Sequence, residues 1–213
     1  MLKQTVLAGL TCTLILGTMA MQPADSAGAS ATLTHVLGIV QTRTTAGWRG
    51  AAVSQRLFPG MTLRTGDKSR SQIRYDDGSV VRLGSRTLLR ISQARDLRLL
   101  RGKTWVQKQP SSQQFRVRTP VAQATVLGTE LFVSHNDANV SHVTTLDGHV
   151  EVQGELGDTQ MVNPGEWVEI EPGKPVVAPT KFDWNELKKN ERFLLDMDFV
   201  PAPDEDVDSE DWK

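Results

Sequence analysis

Arg74, Arg82, Arg86 and Arg90 are separated by even numbers of residues, and Arg98 and Arg101 follow closely. On a regular strand, side chains at even spacing point to the same side, so the first four are expected to line one face. Arg95, Lys103 and Lys108 extend the positive run. A guanidinium is a planar fork of donors that holds a carboxylate or a phosphate through two parallel hydrogen bonds. The chemistry offered is capture of an anion: a metal–carboxylate chelate, lipopolysaccharide phosphate, or an acidic segment of a partner. Arg74, Arg82, Arg86, Arg90, Arg98 and Arg101 are therefore the candidate ligand-binding residues. The competing account is internal neutralisation. Residues 32–130 carry 17 basic and 5 acidic side chains, whereas residues 131–213 carry 6 and 19. Separated blocks of opposite sign attract each other at short range within one molecule. A third reading joins the two, with the acidic C-terminal tail covering the basic face until a stronger anion displaces it.

Other chemistries find little support. His142 and His149 flank Asp147-Gly148; if those two residues form a hairpin loop, the histidines stand about 13 Å apart, too far to share an ion. Asp204, Asp206, Asp208 and Glu210 alternate as calcium ligands do, but Ser209 stands where an EF-hand loop requires Gly. Cys12 is the only cysteine. There is no G-x-S-x-G elbow and no phosphate-binding glycine loop. The carboxylates fall mostly in turns and the tail, where Asp67, Asp77 and Asp147 are expected to cap their own loops. No catalytic residue, metal site or cofactor is expected, and Trp48, Trp105 and Trp167 read as packing residues. With 24 Lys+Arg against 25 Asp+Glu, nothing marks a nucleic-acid binder.

These residues need elements to position them. The chain of 213 residues has 38% hydrophobic and 23% charged residues, which excludes a disordered chain and a polytopic membrane protein. Lys3, an apolar run from Val6 to Met21 and the small residues Ser26 to Ala31 have the order of a secretory signal peptide over residues 1–29, cleaved near Ala29 or Ala31. The mature chain is expected to be periplasmic or secreted, without stable membrane insertion. Short β-prone pieces follow: residues 36–40, 71–75, 115–118, 131–133 and 150–153. Asp77-Gly78 and Asp147-Gly148 read as hairpin turns, and Pro59-Gly60, Thr65-Gly66-Asp67 and Asn163-Pro164-Gly165 as further turns. Residues 73–80 echo 143–150, as if one hairpin plan were used twice. The fold class is all-β, an antiparallel sandwich or jelly-roll-like domain over residues 33–178. Thr180 to Asp183 has the spacing of a capping box, predicting a helix over 180–195. Residues 196–213 read as a disordered acidic tail.

The order of motifs resembles the periplasmic sensor domain of the FecR family. The resemblance rests on Gly38-Ile39-Val40, Trp48, Pro59 to Asp67, Asp77 to Gly84 and Leu99 to Lys103. It continues through Phe115 to Pro120, Val126 to Val133, Asp147 to Val150 and Pro164 to Glu166. It implies an all-β binding or sensing domain without enzymatic activity. Regulatory members relay a signal from an outer-membrane siderophore transporter to a cytoplasmic sigma factor, so the resemblance also implies a link to ferric dicitrate sensing. A stand-alone exported member is expected here, without the cytoplasmic region and internal membrane span of that type. Its expected partner is an envelope protein, such as an outer-membrane receptor, or an anionic envelope ligand. The alternative is a structural envelope or adhesion component.

Overall fold

Apolar and polar residues alternate along Phe115-Arg116-Val117-Arg118, and the structure buries the first and third of these against a facing sheet. The computed structural model describes residues 31–111 and 113–198. The expected signal peptide and the acidic tail beyond Asp198 lie outside the described residues. Two sheets form the core. Across sheet A run, in order, β4 (Arg56–Leu57), β1 (Ala31–Leu37), β6 (Arg70–Tyr75), β7 (Val80–Leu83) and the second half of β9 (Asp96–Lys108). β12 (Thr129–His135), β13 (Ser141–Asp147), β16 (Glu166–Ile170) and β17 (Thr180–Lys181) complete it. Across sheet B run β3 (Gly47–Gly50), β2 (Val40–Thr44), β5 (Thr62–Thr65), β8 (Leu88–Gln93) and the first half of β9. β10 (Phe115–Arg118), β11 (Ala122–Val126), β14 (Val150–Gly154) and β15 (Thr159–Val162) follow.

The connectivity is a meander of long strands, each creased so that one half lies in each sheet. β9 is the continuous case, pairing with β8 and β10 before Gly102 and with β7 and β12 after it. At every crease stands a glycine: Gly38, Gly66, Gly84, Gly102, Gly128, Gly148 and Gly165. The reason is close approach. A Cβ on Gly102, whose φ is +88°, would sit 2.6 Å from the Cα of Thr87. One on Gly148, at φ +75°, would sit 2.5 Å from the Gly128 carbonyl oxygen. One pair is parallel, β9 with β10, because the chain returns between Lys108 and Phe115 to the sheet B end of β9. Leu33, Ile73, Val106, Leu131 and Val143 from sheet A meet Leu63, Leu89, Leu97, Val117 and Val152 from sheet B in one fully buried core.

The all-β sandwich is as expected, with differences in detail. Asp77-Gly78 does close a hairpin: the Tyr75 amide donates to the Ser79 carbonyl (2.8 Å), and Asp77 Oδ1 accepts from the Ser79 amide (2.9 Å). Asp147-Gly148 does not. It is a crease that carries the chain from sheet A to sheet B, and β13 and β14 do not pair with each other. The echo between 73–80 and 143–150 is therefore similar turn chemistry in two different settings. The strand expected over 36–40 likewise divides at Gly38 into β1 and β2.

Two short helices follow the sheets, α1 (Trp184–Asn190) and α2 (Arg192–Leu195). The helix begins later than the Thr180 spacing suggests. Thr180 and Lys181 pair with Trp167 and Glu166 as β17, and Asp183 is the cap, its Oδ1 accepting from the amides of Asn185 (2.7 Å) and Glu186 (3.2 Å). Leu187 and Leu194 close over Val80, Trp105, Phe132 and Leu146, a second apolar cluster on the outer face of sheet A. The order of layers is helices, sheet A, sheet B. No helix among the described residues is long and apolar enough to cross a membrane.

Candidate binding faces

The six candidate arginines, four of them expected on one face, occupy three places. Side-chain parity holds only while strands stay in one sheet, and the chain crosses from sheet A to sheet B between Leu83 and Leu88. Arg74 and Arg82 therefore belong to the outer face of sheet A, Arg90 and Arg98 to the outer face of sheet B, and Arg86 and Arg101 to the crease between them.

On sheet A the cations hold the C-terminal segment. The Arg82 guanidinium lies 4.5 Å from the Trp105 ring centre, and its Nε donates to Gln72 Oε1 (2.9 Å). Its Nη1 donates to the carbonyls of Leu194 and Leu195. Arg70, which sequence reasoning passed over, stacks on Phe193 at 4.5 Å and donates to the carbonyls of Phe193 (2.6 Å) and Met197 (2.8 Å). Most of these carbonyls belong to the last turn of α2 and have no helical donor ahead of them, so the arginines act as its C-terminal cap. Burial lowers the pKa of both arginines, Asp196 offsets part of this in each, and a guanidinium stays protonated regardless. Lys103 Nζ meets Glu191 Oε1 at 2.6 Å, with side chains only 12% and 4% exposed. Arg74 is exposed, opposite Thr32 and Val80. At the other end of the sandwich Arg95 (3.1 Å) and Lys108 (3.2 Å) both pair with Asp77. Burial opposes the Asp77 carboxylate, yet hydrogen bonds from Ser79 and the Lys108 ammonium outweigh it and hold its pKa below the ordinary value.

Sequence spacing offered no sign of a Ser–His–carboxylate row across β12, β13 and β16. His142 Nε2 lies 2.9 Å from Glu169 Oε2, and its Nδ1 lies 3.4 Å from Ser134 Oγ. Ser134 is buried, so the row pairs polar groups within the sheet and offers no open nucleophile. His149 falls beyond the crease from His142. Among the described residues no cluster of three or more His, Cys, Asp or Glu is placed to hold a metal ion.

At the crease a cleft of about 230 Å³ is lined by Arg86, Arg101, Lys103, His135 and Asp137 on one side and by Phe193 on the other. Its arginines are paired at the mouth, Arg86 with Asp67 (2.9 Å) and Arg101 with Asp137 (3.2 Å).

Sheet B has the distinctive arrangement. Register places Arg90 directly opposite Arg98, and Arg98 directly opposite Arg118 on β10. The same row continues through Thr62 to Arg43, beside Trp48, whose ring lies 4.2 Å from the Arg64 guanidinium. Like charges directly opposite one another destabilise a sheet. Arg118 is relieved by Asp96 at 2.6 Å. Arg90 and Arg98 are exposed and have no acidic partner among the described residues. No described element covers this face.

The family model described as FecR protein matches residues 61–151, a stretch that runs from the start of β5 into β14 and contains all six candidate arginines, so this part of the chain is similar to the FecR family. Two crystal structures of a candidate anti-sigma factor from Parabacteroides distasonis ATCC 8503 share the fold. Each has a TM-score of 0.53 and 20% identity over 60% of this chain and 62% of that one. The likeness thus spans a little over three-fifths of that protein. No curated protein matches the chain.

Proposed function

We propose that this protein is a non-catalytic binding module of the FecR type that recognises an anionic partner through the bare face of sheet B. The observation that carries the reading is the Arg90–Arg98–Arg118 ladder. Stability alone disfavours three guanidinium groups in direct cross-strand register. A ligand carrying several anionic groups reverses the sign of that repulsion, and each charge-assisted contact it gains adds about 1.5–3 kcal/mol. The partner is an envelope protein, such as an outer-membrane receptor with an acidic segment, or an anionic envelope ligand met after export. The FecR likeness and the candidate anti-sigma assignment of the Parabacteroides protein support a place in signal relay, with iron-uptake signalling as the branch to examine.

The test is equilibrium binding of poly-L-glutamate and of lipopolysaccharide to the wild type and to an Arg90→Gln/Arg98→Gln variant, at low and moderate salt. The expected result is salt-sensitive binding that falls tenfold or more in the variant. Binding that is equal in both proteins would overturn the proposal.

A further inference from the structure

The bare ladder raises the question of what neutralises it in the free protein. Among the described residues the acidic groups are committed elsewhere or stand away from it. Asp96 serves Arg118, Asp77 serves Arg95 and Lys108, Glu191 serves Lys103, and Asp67 and Asp137 hold the crease. Glu151 shares the outer face of sheet B, but two strands, β10 and β11, separate it from β9. One concentrated acidic block is left. Asp204, Glu205, Asp206, Asp208, Glu210 and Asp211 are opposed within residues 199–213 only by Lys213.

The chain is also delivered to the right edge. Arg70, which holds the Met197 carbonyl, is the first residue of β6 after its crease. β6 stands two strand positions from β9, about 10 Å across the sheet. From Gly102 at the crease, Arg98 is four residues back along β9, about 13 Å. Asp204 lies six positions beyond Asp198, enough to span about 20 Å when extended, and the acidic block adds roughly as much again. The span matches the gap, and the charges are complementary.

Building on the reading of the ladder as an anion-binding face, we propose that residues 199–213 of the same chain dock their acidic block on Arg90, Arg98 and Arg118. The tail occupies the face in cis, and an external anion binds by displacing it. The occupant is thus an acidic peptide, and binding of any other acidic peptide is weakened by the tail's high effective concentration.

Two measurements on the full chain test this. In the first, Ser209→Cys in a Cys12→Ser background carries a nitroxide label, and amide signals of β8, β9 and β10 are followed by NMR. The expected result at low salt is selective broadening of those signals, abolished by 0.5 M salt or by Arg90→Gln/Arg98→Gln. Absence of broadening would overturn tail docking, whatever the external ligand. In the second, Asp204→Asn, Asp206→Asn, Asp208→Asn and Glu210→Gln are combined and poly-L-glutamate binding is measured. Affinity should rise fivefold or more, and this gain should vanish when Arg90 and Arg98 are also replaced. Unchanged affinity would also refute tail docking. Broadening without any poly-L-glutamate binding in either tail form would preserve the cis contact and refute the external-partner reading instead.

Discussion

The crease glycines make a quantitative prediction that separates two reasons for using glycine. Gly102 and Gly157 have nearly the same backbone, at φ +88° and +84°. A methyl group added at Gly157 would find nothing within 4 Å, whereas at Gly102 it would lie 2.5 Å from the Thr87 Oγ1 and 2.6 Å from the Thr87 Cα. Thr87 has no room to yield. It is buried, and its hydroxyl donates to the Ser85 carbonyl and accepts from the Lys103 amide, each at 3.1 Å. Gly157→Ala therefore incurs only the left-handed backbone penalty, about 1–2 kcal/mol. Gly102→Ala incurs that and a packing conflict of about 1–3 kcal/mol more. For a domain of this size each kcal/mol lowers Tm by about 2–4 °C, so Gly102→Ala should melt about 2–12 °C below Gly157→Ala. Urea unfolding followed by tryptophan fluorescence, with circular dichroism melts, gives both numbers. Equal losses in the two variants would refute the argument that backbone contact, beyond φ, fixes glycine at the creases.

Three further outcomes follow from the pairings on sheet A. Glu191→Gln strands the Lys103 ammonium beneath the helices and should cost about 3–5 kcal/mol in urea unfolding, with much of the loss recovered by Lys103→Met/Glu191→Leu. Arg82→Lys keeps the charge but loses the fork that reaches both Leu194 and Leu195 and the stack on Trp105. Limited trypsin digestion should then cut at Lys188 and Lys189 several times faster than in the wild type, while the sheets stay resistant. Asp77 has a folded pKa below its unfolded value of about 3.9, so it stabilises the fold above that value and its contribution is lost as pH falls through the folded pKa. Between about pH 5 and 2 the wild type should lose stability more steeply than Asp77→Asn, and parallel curves would contradict the assignment.

The sequence was legible wherever a local rule acts alone. Period-two alternation located β10 from Phe115 to Arg118, and Asp77-Gly78 was read as a hairpin because its hydrogen bonds are local. Asp147-Gly148 has the same dipeptide and a positive φ at its glycine, yet it serves a crease. Positive φ tells that the chain turns; whether the flanking strands pair or part is decided by partners distant in sequence. The arginine face failed for the same cause. Arg82 and Arg90 share parity, but Gly84 lies between them and sends one to the helix-covered face and the other to the bare face. Arg70 escaped notice because its role is set by carbonyls at Phe193 and Met197, far along the chain. The opposition of Arg90, Arg98 and Arg118 could not be seen before register was known.

The helices that cap sheet A come after every one of its strands in chain order. During synthesis, Trp105 and Phe132 are thus in place before Leu187 and Leu194 have emerged to cover them. Until then the sheet displays an aromatic surface flanked by Arg70, Arg82 and Lys103. A truncation ending before Trp184 would make that exposure permanent and leave an apolar patch prone to aggregation.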